Sequence, residues 1–369
     1  MPDTLTAPVE RDAVAAPSSR PARRWEFDAL RVVAICGVVA IHVIGMMLIN
    51  PELRGTLRWW GAVAVHAGST WVVPVFVMLS GALVLAPGAY AAGTAAFYRK
   101  RFVRIVPALV VWHVVYLVGV RVWLLDQDVT ARSAAQLLLD ARAYTALYFL
   151  WLIGGLYLVA PVLAAFLHAG GRLRSLVTAA VALCWGLVLW IVPNISTLLG
   201  TERVSGLGAW DQWVPYVGYF VAGWALRRTV LGRRALLAVL AVTVVLLGEL
   251  IWQSGHRGQF RTLNALLPVH RLGIVAAAAA IGVFLLAVGL GARYTPPERL
   301  RGLLTRLSDA SFGVFLVHLA LFAILQQAIP AVRAADSPAV MVAAYAAVLG
   351  CSFALSIGAA KVPYLRNVF

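Results

Sequence analysis

Charge is what this sequence has least of. Asp, Glu, Lys and Arg make up 12% of its 369 residues, against about 25% in soluble globular proteins, and the acidic residues are the scarcer part, 15 against 31 basic. With 62% of the residues hydrophobic, a water-soluble fold is all but excluded. Cysteine is scarce too. Cys36, Cys184 and Cys351 each lie inside an apolar run without metal-ligand spacing, so neither a disulfide framework nor a zinc site is expected, and they read as small packing residues. No repeat of fixed period is evident, and no inverted repeat of the kind common in secondary transporters. The first 24 residues are rich in Ala, Pro and Arg and carry no apolar core, so they do not read as a cleavable signal peptide. Segment 1–24 is instead expected to be a disordered cytoplasmic tail.

What the chain has is ten apolar stretches of roughly 17 to 25 residues, the length that crosses a bilayer as a helix. The expected spans are 29–49, 60–85, 105–124, 143–167, 175–193, 212–227, 234–253, 270–290, 310–329 and 338–360. The fold class is therefore all-α, a polytopic transmembrane helical bundle of about ten helices, with no room left for a globular domain. A net charge of +16 would suggest nucleic acid in a soluble chain. Here the basic residues gather at every second loop, and placing the N-terminus inside puts 20 of the 31 on one side. Both termini are thus expected in the cytoplasm of a multi-pass plasma-membrane protein whose partner is the bilayer and not nucleic acid. Trp59, Trp60, Trp210, Trp213 and Tyr216 suit an interfacial belt on the outer face.

Polar side chains inside such spans are costly and point to function. In the first, FDALRVVAICGVVAIHVIGMML, Arg31 and His42 stand 11 positions apart. That is three helical turns plus about 20°, so both side chains share one face and lie about 16 Å apart along the axis. Asp28, one turn before Arg31, can pair with it. Arg suits a phosphate through its paired donors, and His suits proton exchange near neutral pH; the bland alternative is a histidine that only bonds a neighbouring helix. A second cluster, FYRKRFVRIVPALVVWH, places Arg101 and Arg104 as i,i+3 neighbours able to grip one anionic group, with Pro107 expected in the first turn of the third helix. Plain anchoring by the positive-inside rule is the competing reading there. In SFGVFLVHLALF, Ser311 and His318 share a helical face, while His66 and His113 read as interhelical hydrogen bonders. Glu249 sits near the outer end of the seventh span.

These residues resemble those of acyltransferase family 3, integral membrane proteins that move acyl groups, often acetyl from acetyl-CoA, onto sugars and other extracytoplasmic or lipid-linked acceptors. The resemblance rests on FDALRVVAICGVVAIH, VPVFVMLSGALVL, YRKRFVRIVP, YFLWLIGGLYLVAPVL and SFGVFLVHLALF, in that order. It implies that 25–369 is a membrane acyltransferase domain in which His42 is catalytic and Arg31 belongs to the same element. It also implies that Arg101 and Arg104 bind the acyl donor, acetyl-CoA or another acyl-CoA, with no metal. Asp28, Ser80, Ser311 and His318 complete the candidates as substrate-contacting or structural residues. The implied acceptor is a sugar or lipid-linked saccharide of the cell envelope, as for the smaller polysaccharide O-acetyltransferases of the family. The chain departs from the pattern at Phe149, where many members have a histidine before Leu-Trp, and the fused extracytoplasmic hydrolase-like domain that some members carry is not expected after the tenth helix. Acyl transfer to a hydroxyl needs a base and a grip on an anionic donor. His42 is open here to either role, general base or acyl carrier. The competing reading from another class is a transporter with Arg31, His42 and His318 along a solute or proton path, and a third is a sensory or scaffold protein.

Overall fold

The computed structural model describes residues 23–201 and 208–369; all but the last two residues of the expected 1–24 tail lie outside them. Within the described residues there is no strand, and nine helices are long and apolar enough to cross a membrane. They are α1 (Trp25–Leu48), α2 (Leu57–Val84), α3 (Thr94–Leu124), α4 (Tyr148–His168), α5 (Gly171–Leu198), α7 (Arg233–Gly255), α8 (Ile274–Gly291), α9 (Glu298–Ala328) and α10 (Pro338–Ala359). A shorter apolar helix, α6 (Val214–Leu226), fills the sixth place. The ten expected spans each coincide with one of these helices, and the fold is a polytopic helical bundle.

α6 explains itself through burial. It is apolar on every side, and Gly218 to Ala225 are all buried, as a helix without a polar face must be. It packs between α2 and α5, where glycines let backbones meet: Gly81 of α2 lies against the Phe220 carbonyl, and Gly223 against the Met78 backbone. Small residues at a crossing are the usual device for close helix approach in a membrane. α7 lies at the periphery, with Leu237, Leu240, Val242, Val244 and Val245 exposed, a surface that only acyl chains would cover favourably.

Several boundaries differ from the sequence expectation, the ninth most, since α9 begins at Glu298 rather than 310. α3 begins at Thr94, so Arg99, Lys100, Arg101 and Arg104 ride on the helix and Pro107 stands in its interior rather than its first turn. The charges had masked helical backbone that needs no apolar composition. α3 also closes as a π-helix over Val115–Leu124, a winding often found at functional sites. The eighth span starts at Ile274 rather than 270, because the chain turns just before it: the amide of His270 donates to Pro268 O at 2.8 Å and that of Gly273 to His270 O at 2.7 Å. His270 and Arg271 therefore stand on a turn, free of helical geometry.

One end of the bundle gathers charge. Arg23 pairs with Asp28 at 2.7 Å and with Asp309 at 2.8 Å, and these hydrogen bonds, the Asp28 one foremost, hold its guanidinium above its ordinary pKa. Arg24 pairs with Glu26 at 2.5 Å and donates to Arg227 O, while Arg293 donates to Leu231 O. If this end faces the cytoplasm, as the charge bias requires, a cysteine at Gly88, which has open space around it, will react with an impermeant maleimide only after permeabilisation. In the same cysteine-free background one at the exposed Gln259 will react on intact cells. The reverse pattern inverts the topology.

Candidate active site

α1 and α9 lie side by side in parallel, and two polar meetings mark their seam. At the charged end Arg31 Nη1 donates to Ser308 Oγ at 2.8 Å. Deeper in, the rings of His42 and His318 lie 5.4 Å apart between centroids. The 11-residue spacing on α1 is answered by a 10-residue spacing on α9, which is what two parallel helices of equal rise impose.

The Arg31 end is a basic mouth drawn from several helices. Tyr157 of α4 interacts electrostatically with both Arg31 and Arg104, and the Arg101 guanidinium lies 5.6 Å from the centre of its ring. Arg104 lies over Phe312 of α9 at 4.8 Å. Arg101 Nε is buried with no hydrogen-bond partner among the described residues. Asp28 does not neutralise this set: its carboxylate is engaged by Arg23 at 2.7 and 2.9 Å and stands 3.8 Å from Arg31. Three arginines thus gather around Tyr157, and two of them, Arg101 and Arg104, make no hydrogen bond or ion pair among the described residues, a geometry suited to phosphate groups.

His318 is fully buried. Its Nδ1 lies 2.7 Å from Phe315 O and 3.1 Å from Val314 O, so Nδ1 carries the proton and Nε2 the lone pair. Nε2 has no partner among the described residues, and the His42 ring is the polar group beside it. His66 and Arg271 are within electrostatic range of His42; Gly45 gives His66 its room, since a Cβ there would stand 3.2 Å from the imidazole. Phe149 stacks among Phe76 and Phe315 at 6.2 and 5.2 Å, with Phe315 in turn 6.1 Å from His318. The family departure at this position therefore lines the histidine pair with apolar rings.

At the opposite end of the bundle a cavity of about 370 Å³ opens, lined in part by Arg121, Arg142, Tyr148, Trp190, His270 and Arg271. Arg271 Nε donates to Tyr216 Oη at 2.6 Å, and its guanidinium lies over the Tyr148 ring at 4.4 Å. His270 stacks on Trp190 with centroids 3.8 Å apart and planes 12° from parallel. Burial first, then the charges of Arg271 and Arg257, push the His270 pKa down to about 3, so this ring is neutral at physiological pH.

The structure brings Arg31, Arg101 and Arg104 together around Tyr157 and His42 beside His318. Ser311 spends its hydroxyl on Ser308 O at 2.7 Å. Ser80 makes no hydrogen bond among the described residues and adjoins Gly81 at the α2/α6 crossing. His113 accepts from Trp151 Nε1 at 3.2 Å, the interhelical bond expected of it. Ser308, Tyr157 and Arg271 escaped the sequence reading. Ser308 could have been found as a polar residue 10 positions before His318, one short of the spacing of Arg31 before His42. Arg271 carried a signal as well, a cation at a span border without a nearby acid in sequence. No group of three or more His, Cys, Asp or Glu able to hold a metal occurs among the described residues.

A family model described as an acyltransferase domain matches residues 24–357. No curated protein and no solved structure matches the chain. The matched stretch takes in nine helices and all but the last two residues of α10, both ends of the α1/α9 seam and the arginines of α3, and so the chain belongs to acyltransferase family 3, the membrane acyltransferases.

Proposed function

We propose that this protein moves an acyl group, acetyl in the simplest case, from acyl-CoA to a hydroxyl of a sugar or other cell-envelope acceptor. The donor is held at the Arg31, Arg101 and Arg104 mouth on the cytoplasmic side, and the acceptor enters from the cavity at the opposite end. The acceptor oxygen attacks the thioester carbonyl, a C–O bond forms, the C–S bond breaks and CoA leaves as the thiol. His42 takes the hydroxyl proton and returns one to the departing sulfur, the work of a general base. His318 is its positioning partner: an N–H of His42 can reach the Nε2 lone pair by a ring rotation or through one water, leaving the other His42 nitrogen as the base. The observation that carries this reading is the seam itself, with Arg31 bonded to Ser308 at one end of α1 and the His42/His318 pair about three helical turns further along it. Family membership favours it over a solute path.

In detergent, acetyl-CoA is expected to lose its thioester only when a hydroxyl acceptor is present. Arg101→Ala and Arg104→Ala are each expected to weaken acetyl-CoA binding by about 1.5 to 3 kcal/mol, the worth of a hydrogen bond to a charged group, and the loss should shrink as salt rises. Unchanged affinity in a correctly inserted double variant would reduce both residues to topology anchors. Tight binding of a small solute, with no thioester loss under any acceptor, would overturn the transferase.

A further inference from the structure

The cavity at the end opposite the basic mouth has a charge problem of its own. It presents Arg121, Arg142 and Arg271, and neither Asp nor Glu lines it. All four ion pairs recorded among the described residues belong to Arg23, Arg24 and Arg31 at the other end of the molecule. Among the described residues Arg271 is held by neutral phenols, as a donor to Tyr216 and over the ring of Tyr148. Arg121 bonds Ala143 O at 2.8 Å and Gln127 Oε1 at 2.9 Å, again neutral partners, and Arg142 is exposed with no hydrogen bond or ion pair among the described residues. A cation packed among neutral groups without a counter-charge is costly, and a ligand that supplies the missing charge offsets that cost. The phenols fix the Arg271 guanidinium in place without neutralising it.

The remaining walls are flat and aromatic, the Trp190/His270 stack above all, and the His270 ring is neutral, so the stack adds surface without adding charge. A sugar ring offers a C–H face to such a wall and hydroxyls at its rim. The volume, about 370 Å³, falls in the range of small-ligand sites. Arg271 also stands within electrostatic range of His42, so an anion on Arg271 would leave its hydroxyl-bearing part on the side of the base.

Building on the proposed transferase reading, we infer that this cavity is the acceptor subsite and that it selects a saccharide bearing an oxyanion, either the carboxylate of a uronate or a phosphate attached to the sugar. Arg271 is the anchor, Arg142 the entrance cation and the Trp190/His270 stack the platform for the ring.

The test is a binding titration of the purified full-length protein, without acyl donor, against glucose, glucuronate, glucose 1-phosphate and inorganic phosphate. Glucuronate or glucose 1-phosphate should bind at least 10-fold tighter than glucose, and which of the two is tighter identifies carboxylate or phosphate as the source of charge. Phosphate alone should compete but bind more weakly than the sugar that carries it. Arg271→Gln should abolish the advantage of the anionic sugars while acetyl-CoA affinity stays unchanged. Arg142→Gln, an exposed position that leaves packing alone, should reduce the advantage several-fold. Equal binding of glucose and the anionic sugars overturns the inference, as does an advantage that survives both substitutions. So does a loss of acetyl-CoA affinity in Arg271→Gln, which would make the cavity a donor site. Because donor is absent, anion-selective binding by a protein that never consumes thioester would sink the transferase reading alone, whereas rapid acylation of neutral sugars with no anion selectivity would sink this inference alone.

Discussion

Replacing His42 by glutamine is expected to lower acyl transfer by about 10²-fold or more, the low end for losing a general base, with insertion and acetyl-CoA binding near normal. The substitution separates two roles that alanine would confound. Glutamine keeps an N–H that can serve the His318 Nε2 lone pair, which otherwise has no partner among the described residues, so a histidine that only ties α1 to α9 would be replaced without great loss. Glutamine cannot take a proton near neutral pH, so a proton acceptor would not. His42→Ala should lose at least as much and should also loosen the seam. His113→Gln is the matched control, because the amide oxygen can still accept from Trp151 as His113 does at 3.2 Å. Acyl transfer by His42→Gln within a few-fold of the unaltered protein would end the catalytic assignment.

The largest structural loss is expected at the α2/α6 crossing. A Cβ at Gly81 would run into the Phe220 carbonyl, and one at Gly223 into the Met78 backbone. The obstacle is main chain in both cases, so no rotamer change relieves it and the helices must separate. Over-packing a core costs about 1 to 3 kcal/mol even when side chains can shift, and Gly81→Ala should reach at least the top of that range. Gly81→Leu should abolish recovery of monodisperse protein. Gly350, inside α10 with open space where its Cβ would point, gives the opposite expectation: Gly350→Ala should be neutral or stabilising by about 0.5 to 1 kcal/mol, since the helix loses only backbone freedom in the unfolded chain. Thermal midpoints in one detergent would rank the two alanine variants against the unaltered protein, and a Gly81→Ala protein as stable as Gly350→Ala would show that α2 and α6 do not meet so closely.

The spans were legible because a bilayer demands long apolar runs, and α1 to α10 fall where those runs are. Their neighbours were not. His42 could be singled out by its spacing from Arg31, but that it meets His318 depends on α9 lying against α1, which no periodicity within either helix encodes. Arg101 and Arg104 were recognisable as a pair; their convergence with Arg31 around Tyr157 depends on how α1, α3 and α4 are arranged. Arg271 falls inside the expected 270–290 span, which begins four residues before α8 does. The turn between Pro268 and Gly273 lifts it out of helical register, and a window of mean hydropathy averages such a turn away.

The partner of Arg31 lies 277 residues downstream of it. At about 5 to 20 residues per second of synthesis, roughly 15 to 55 s pass between the emergence of α1 from the ribosome and that of the Ser308 turn. For that interval the first helix holds a guanidinium and an imidazole in the bilayer with nothing from α9 to meet them. A nascent chain arrested before α9 should therefore be inserted yet inert, and its first helix should be the segment most dependent on an insertase or chaperone for safe waiting. On the proposed reading, acyl transfer becomes available only once α9 lies against α1.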